Sequence, residues 1–139
     1  MDARSRRDNF AFVDTPVFRS ADDVSVKHIF GQSEAAWQRV AFGVIELDED
    51  DVVRTYNSAE SSLARRRPEA TLGKNFFSEV APCTDVAEFR GRVRSLVTDG
   101  DEVRFDYVFA FPWGERRVRV RAIRSGPSRW LFVTPLGER

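Results

Sequence analysis

The strongest constraint on the fold lies in the last third of the chain. Val103, Phe105, Tyr107, Phe109 and Phe111 alternate with Arg104, Asp106, Val108 and Ala110, a period of two that marks a strand with one apolar face. Val118 and Val120 alternate in the same way with Arg117, Arg119 and Arg121, and residues 130–134 supply a third strand-forming run. A sheet with an apolar face must be covered by something else. The cover has to come from the first hundred residues.

Those residues read as a hairpin followed by helices. Residues 41–47, Ala-Phe-Gly-Val-Ile-Glu-Leu, form a strand, the acidic residues 48–51 a turn without glycine, and residues 52–57, Val-Val-Arg-Thr-Tyr-Asn, its partner. Short helical pieces follow at 58–64 and 75–81, joined through Arg65, Arg66, Arg67 and Pro68 and through Gly73. Asp85 and Glu88 have the spacing of a helix start, which predicts a longer helix over 85–97 ending at Asp99-Gly100. Before residue 41, Phe10, Phe12 and Phe18 are scattered among charges around a Thr15-Pro16 step, so residues 1–24 read as an irregular extension. Residues 33–40 fit a short helix that buries Trp37. Two strands, short helices, a longer helix and three strands make an α+β domain. The division is 1–40, extension and cap, and 41–139, core, within a single domain.

Composition narrows the function. At 139 residues the chain can bury a real core. Its 22 basic and 22 acidic side chains cancel, so no bulk field draws it to nucleic acid or an anionic membrane. No apolar run reaches membrane-spanning length and the Arg-rich start lacks a signal peptide's hydrophobic stretch, which points to the cytoplasm. One cysteine and one histidine allow neither an internal disulfide nor a metal cluster of the usual spacing. A Cys83–His28 catalytic dyad lacks an orienting third group, and the reading is of a protein that is not an enzyme. The arginines at 117, 119 and 121 read as the solvated side of a strand, and those at 65–67 as a solvated loop.

The single cysteine, Cys83, stands in residues 73–84, Gly-Lys-Asn-Phe-Phe-Ser-Glu-Val-Ala-Pro-Cys-Thr. Taken alone, a cysteine in an apolar stretch is most simply a small core residue. Placed just before the predicted helix at 85–97, its sulfur would lie at a helix N-terminus, whose partial positive charge favours thiolate and thus acylation or alkylation.

This stretch, with Ala41-Phe42-Gly43, Tyr56-Asn57-Ser58-Ala59-Glu60 and the strand ending at Val133, resembles the photoactive yellow proteins, a family of small PAS-fold blue-light receptors. The resemblance covers roughly the last hundred residues. It implies a PAS fold with a central five-stranded antiparallel sheet and an N-terminal cap that includes residues 27–40. It further implies p-coumaric acid bound to Cys83 as a thioester, with Tyr56 and Glu60 bonding its phenolic oxygen and Arg66 covering it. Ile45, Phe76, Val80, Ala81, Pro82, Thr84 and Phe109 match pocket-wall positions. Ala64 stands where the family usually has a threonine that bonds the tyrosine, Phe111 replaces a tyrosine, and Trp113 replaces a methionine that assists thermal return.

The chemistry this implies follows from burial. A buried phenolate needs donors at its oxygen, and Glu60 can donate only if protonated, a form that burial favours. After trans-to-cis isomerisation, Glu60 would pass on its proton and become a buried carboxylate, at a cost comparable with a domain's stability margin. Partial unfolding of the cap, within residues 1–40, is the expected output, read by a downstream signalling protein that the sequence does not name. The chain is expected to be a monomer or weak dimer. The alternative is a PAS interaction module without a chromophore; a flavin-binding sensor fits less well, because that group's Asn-Cys-Arg-Phe motif is absent.

Overall fold

The computed structural model describes residues 18–137, so the expectations for Phe10, Phe12 and the Thr15-Pro16 step lie outside the described residues. Five antiparallel strands, β1 (Gly43–Leu47), β2 (Val53–Tyr56), β3 (Glu102–Phe111), β4 (Gly114–Ser125) and β5 (Ser128–Pro135), form one sheet in the order β2-β1-β5-β4-β3. Alternation divides each strand between two faces. One face carries Ile45, Phe105, Phe109, Val118, Val120, Leu131 and Val133 under the segments between β2 and β3; the other carries Val44, Ile123, Trp130 and Phe132.

The β1–β2 turn does without glycine for a local reason. Asp48 accepts hydrogen bonds at Oδ1 from the backbone N–H groups of Asp50 and Val52, and Asp51 takes the left-handed conformation at φ 65°, which aspartate tolerates better than most residues. Asp51 is buried, and Arg94 and Arg90 approach its carboxylate at 2.9 and 3.5 Å.

Three expectations change. The helix over 85–97 is a π-helical turn, Ala87–Gly91, followed by one α-turn, Arg92–Arg94. Its N-cap is Val86, because Asp85 turns its carboxylate to Arg90 at 2.8 Å. Cys83 instead sits in a separate 3-10 turn, Pro82–Thr84, and the helix-terminus argument for its sulfur does not hold.

From residue 18 onward the segment before β1 is regular where its composition suggests an irregular extension. A 3-10 turn at Ala21–Asp23 and helices at Val26–Gly31 and Glu34–Trp37 lie over the second face of the sheet. Phe18, Val24, Ile29 and Trp37 are buried there against Trp130 and Phe132. Ser33 caps the Glu34–Trp37 helix by accepting from Ala36 N–H at 3.2 Å.

The arginine stripe is not uniformly solvated. Arg121 is only 8% exposed. Its Nε and Nη2 grip Glu102 at 2.8 and 3.2 Å, while Nη1 donates to the carbonyls of Ala21, at 2.7 Å, and Val24. The bond from Arg121 holds the Glu102 carboxyl below its usual range. An alternation pattern cannot distinguish a solvated face from one lying under another segment.

Candidate functional site

Asn57 and the helix Ser58–Ala64 place the acidic residue of the site. Asn57 caps that helix, its Oδ1 accepting from Glu60 N–H at 3.1 Å and Val44 N–H at 2.8 Å, while its Nδ2 donates to the carbonyls of Trp37 and Phe42 at 2.9 and 3.0 Å. A wholly buried amide thereby ties the start of the helix to the cap segment and to β1. Glu60, on the first turn, faces inward and is 2% exposed.

Among the described residues the carboxyl of Glu60 has no ionic partner. Its Oε1 is buried without a hydrogen bond, and burial pushes its pKa up to about 8. Gly43 is what admits it: a Cβ there would stand 2.1 Å from Glu60 Oε1 and 3.2 Å from Glu60 Cβ. Gly43→Ala is therefore expected to destabilise the fold by about 1–3 kcal/mol through overpacking. In denaturant titrations the same substitution should cost less in a Glu60→Ala background, where only the 3.2 Å contact with Cβ remains; an equal cost in both would locate the strain elsewhere.

Tyr56, at the end of β2, belongs to the buried cluster against which Cys83 packs. Burial raises the pKa of its phenol, and the proximity of Glu60 adds to this while Arg66 opposes it. Burial thus favours the protonated form of both groups, the form in which each can donate.

Cys83 is half-buried and lines a cavity of about 440 Å³. Of the residues expected at the pocket, Ala64, Arg66, Val80, Ala81, Pro82, Phe111 and Trp113 surround this cavity together with Arg65 and Glu79. Ile45, Phe76 and Phe109 lie in the buried core. Thr84 is buried and donates its hydroxyl to Ala81 O at 2.7 Å, which stabilises the 3-10 turn bearing Cys83. Arg66 reaches across the cavity wall, donating to Ala70 O at 3.2 Å and Val80 O at 3.5 Å, and its Nε is buried without a partner.

Three neighbours were not anticipated from the sequence. Tyr107 donates to the backbone carbonyl of Cys83 at 2.6 Å. Arg65, left-handed at φ 57° as the helix ends, lays its guanidinium 3.9 Å from the centre of the Trp113 ring. Asn57 is the one with a local signal, since an asparagine just before a helical run is a preferred N-cap. The other two contacts join segments far apart in the chain.

The thiol opens onto the cavity, while the orphaned carboxyl oxygen of Glu60 and the phenol of Tyr56, the donors that a hydroxycinnamoyl pigment would need, are buried and do not line it. Among the described residues, no group of three His, Cys, Asp or Glu side chains is placed to hold a metal, and no helix is long and apolar enough to cross a membrane.

Comparison with known proteins bears on the fold and the family. The family model described as PAS fold matches residues 34–129. The chain is 45% identical over 97 residues to the photoactive yellow protein of Rhodothalassium salexigens, covering 68% of this chain and 78% of that one. It is 36% identical over 119 residues to the photoactive yellow protein of Halochromatium salexigens, covering 84% and 94%. The crystal structure of the photoactive yellow protein domain from the sensor histidine kinase Ppr of Rhodospirillum centenum superposes with a TM-score of 0.69 at 38% identity, covering 78% of this chain and 97% of that one.

Proposed function

Since the chain belongs to the photoactive yellow protein family, we propose that it is a blue-light receptor whose pigment is p-coumaric acid, held as a thioester on Cys83. The observation that carries this reading is the buried Glu60, with an oxygen lacking a hydrogen bond and a pKa raised by burial, near the buried phenol of Tyr56. When bound, the pigment supplies visible absorption and a light-driven trans-to-cis isomerisation. The protein turns over no substrate.

Each residue has a distinct task. Cys83 Sγ anchors the acyl group, and Tyr107 holds the carbonyl of that cysteine in place. Tyr56 and Glu60 donate to the phenolic oxygen, and such charge-assisted bonds are short and strong enough to keep it ionised. Arg66 covers the ring from the cavity wall. After isomerisation Glu60 would pass its proton to the phenolic oxygen and be left as a buried carboxylate without a partner, an unfavourable state by several kcal/mol. Asn57 links that event to the cap, because it binds both the Glu60 turn and the carbonyls of Trp37 and Phe42. Loosening of the cap then carries the signal to a downstream protein, with the receptor acting in the cytoplasm as a monomer or weak dimer.

The test is spectroscopic. Incubation of the purified chain with an activated p-coumaric ester is expected to produce a visible band that bleaches under blue light and returns in the dark. Cys83→Ala should give no covalent pigment by mass spectrometry. A folded wild-type chain that forms no band would favour a PAS interaction module without a chromophore.

A further inference from the structure

Two of the side chains that line the cavity at Cys83, Trp113 and Arg65, have no part in the proposed photochemistry. Trp113 projects from the β3–β4 turn, stacks on Phe111 with ring centres 5.1 Å apart and planes at 11°, and donates from Nε1 to Ala64 O at 3.2 Å. Arg65 follows directly after Ala64, and its guanidinium lies 3.9 Å from the centre of the same indole. The end of the Ser58–Ala64 helix and the β3–β4 turn are thus clasped to each other by one hydrogen bond and one cation–π contact. Arg65, Trp113 and Cys83 all line the same cavity.

We propose that the Arg65–Trp113 clasp is the gate through which an acyl group reaches Cys83, so that these two residues set the size of group admitted to the thiol. The inference rests on the proposed acylation of Cys83. In that reaction Sγ forms a bond to the acyl carbon of an activated hydroxycinnamoyl ester, while the leaving group departs with the electron pair of the broken bond and takes up the thiol proton. A flat aryl group passes only when the indole swings away from Phe111 and Ala64. The Arg65 guanidinium and the Nε1 bond restrain that swing, and the guanidinium of Arg116, 5.6 Å from the same ring centre, adds to the restraint. Arg65, itself exposed, acts through Trp113 as a positioning residue.

The experiment measures thiol modification in the full chain without pigment, using a neutral aromatic disulfide as the bulky reagent and methyl methanethiosulfonate as the small one. The ratio of the two rates reports the gate and is independent of any intrinsic change in the thiol. Trp113→Ala is expected to raise the bulky-to-small ratio about tenfold and Arg65→Met about threefold, in keeping with the modest strength of an exposed cation–π contact. Arg65→Lys should remain near the wild type, since an ammonium can also sit over the ring. Arg67→Ala, an exposed neighbour directed to Glu69, should leave the ratio unchanged. A ratio within twofold of wild type in Arg65→Met, an exposed substitution that leaves the core intact, would overturn the gate, as would an equal rise in Arg67→Ala. Pigment formation is scored separately: a visible band with an unmoved ratio refutes the gate alone, whereas a moved ratio with no band refutes the photoreceptor reading alone.

Discussion

In an Arg121→Met protein the N-terminal cap is expected to come away from the sheet in the dark. Methionine keeps the apolar stem but removes the donors that hold the carbonyls of Ala21 and Val24 and the carboxylate of Glu102. Bonds from a buried charged donor are among the stronger ones, and removing one partner leaves the others underbonded. The loss should be about 3 kcal/mol, lowering Tm by about 10 °C for a domain of this size. Hydrogen exchange should rise at residues 18–25 before the core exchanges. Arg119→Met is the control, since its pair with Asp106 is exposed on both sides, and it should leave Tm and cap protection near the wild type. An equal loss in the two variants, or unchanged protection of residues 18–25 in Arg121→Met, would contradict the assignment.

Glu60 should give the pigment-free protein a stability that falls as pH rises. Its folded-state pKa is pushed up to about 8 against an ordinary value of 4.5. Below the ordinary value both folded and unfolded chains bind the proton and its contribution is fully present. Between the two values only the folded chain holds the proton, so each unit of rising pH favours unfolding by about 1.4 kcal/mol. The total decline approaches about 4–5 kcal/mol by pH 8 and then levels off as the folded carboxyl ionises. Glu60→Gln cannot ionise and should remove this slope in urea titrations across the range. With the pigment bound, the same variant is expected to absorb at longer wavelength. A wild-type slope that survives in Glu60→Gln would show that another group dominates.

The fold was legible where burial imposes a period on nearby residues. β3 alternates over its whole length, so its apolar face could be assigned from Val103 to Phe111, and the helix Ser58–Ala64 has the bounds expected of it. Legibility ended where a local signal competed with a distant partner. Asp85 and Glu88 have a capping spacing, yet Asp85 is satisfied by Arg90, and Val86 opens the turn instead. Arg121 has the alternation of an exposed residue and is covered because the Ala21–Asp23 turn folds back across the sheet.

By itself the sequence determined the α+β order of elements, the family, and the identity of the thiol, phenol and carboxyl of the proposed site, because residue type and spacing are properties of the chain. Only the tertiary structure decided that Glu60 is fully buried with an unbonded oxygen, that Gly43 makes room for it, and that Asn57 joins its helix to the cap. It also decided that Arg65 rests on Trp113 and that Arg121 lies beneath the cap. Desolvation and hydrogen bonding depend on which distant segments meet, and no local pattern records which carbonyl or ring will lie opposite a given side chain.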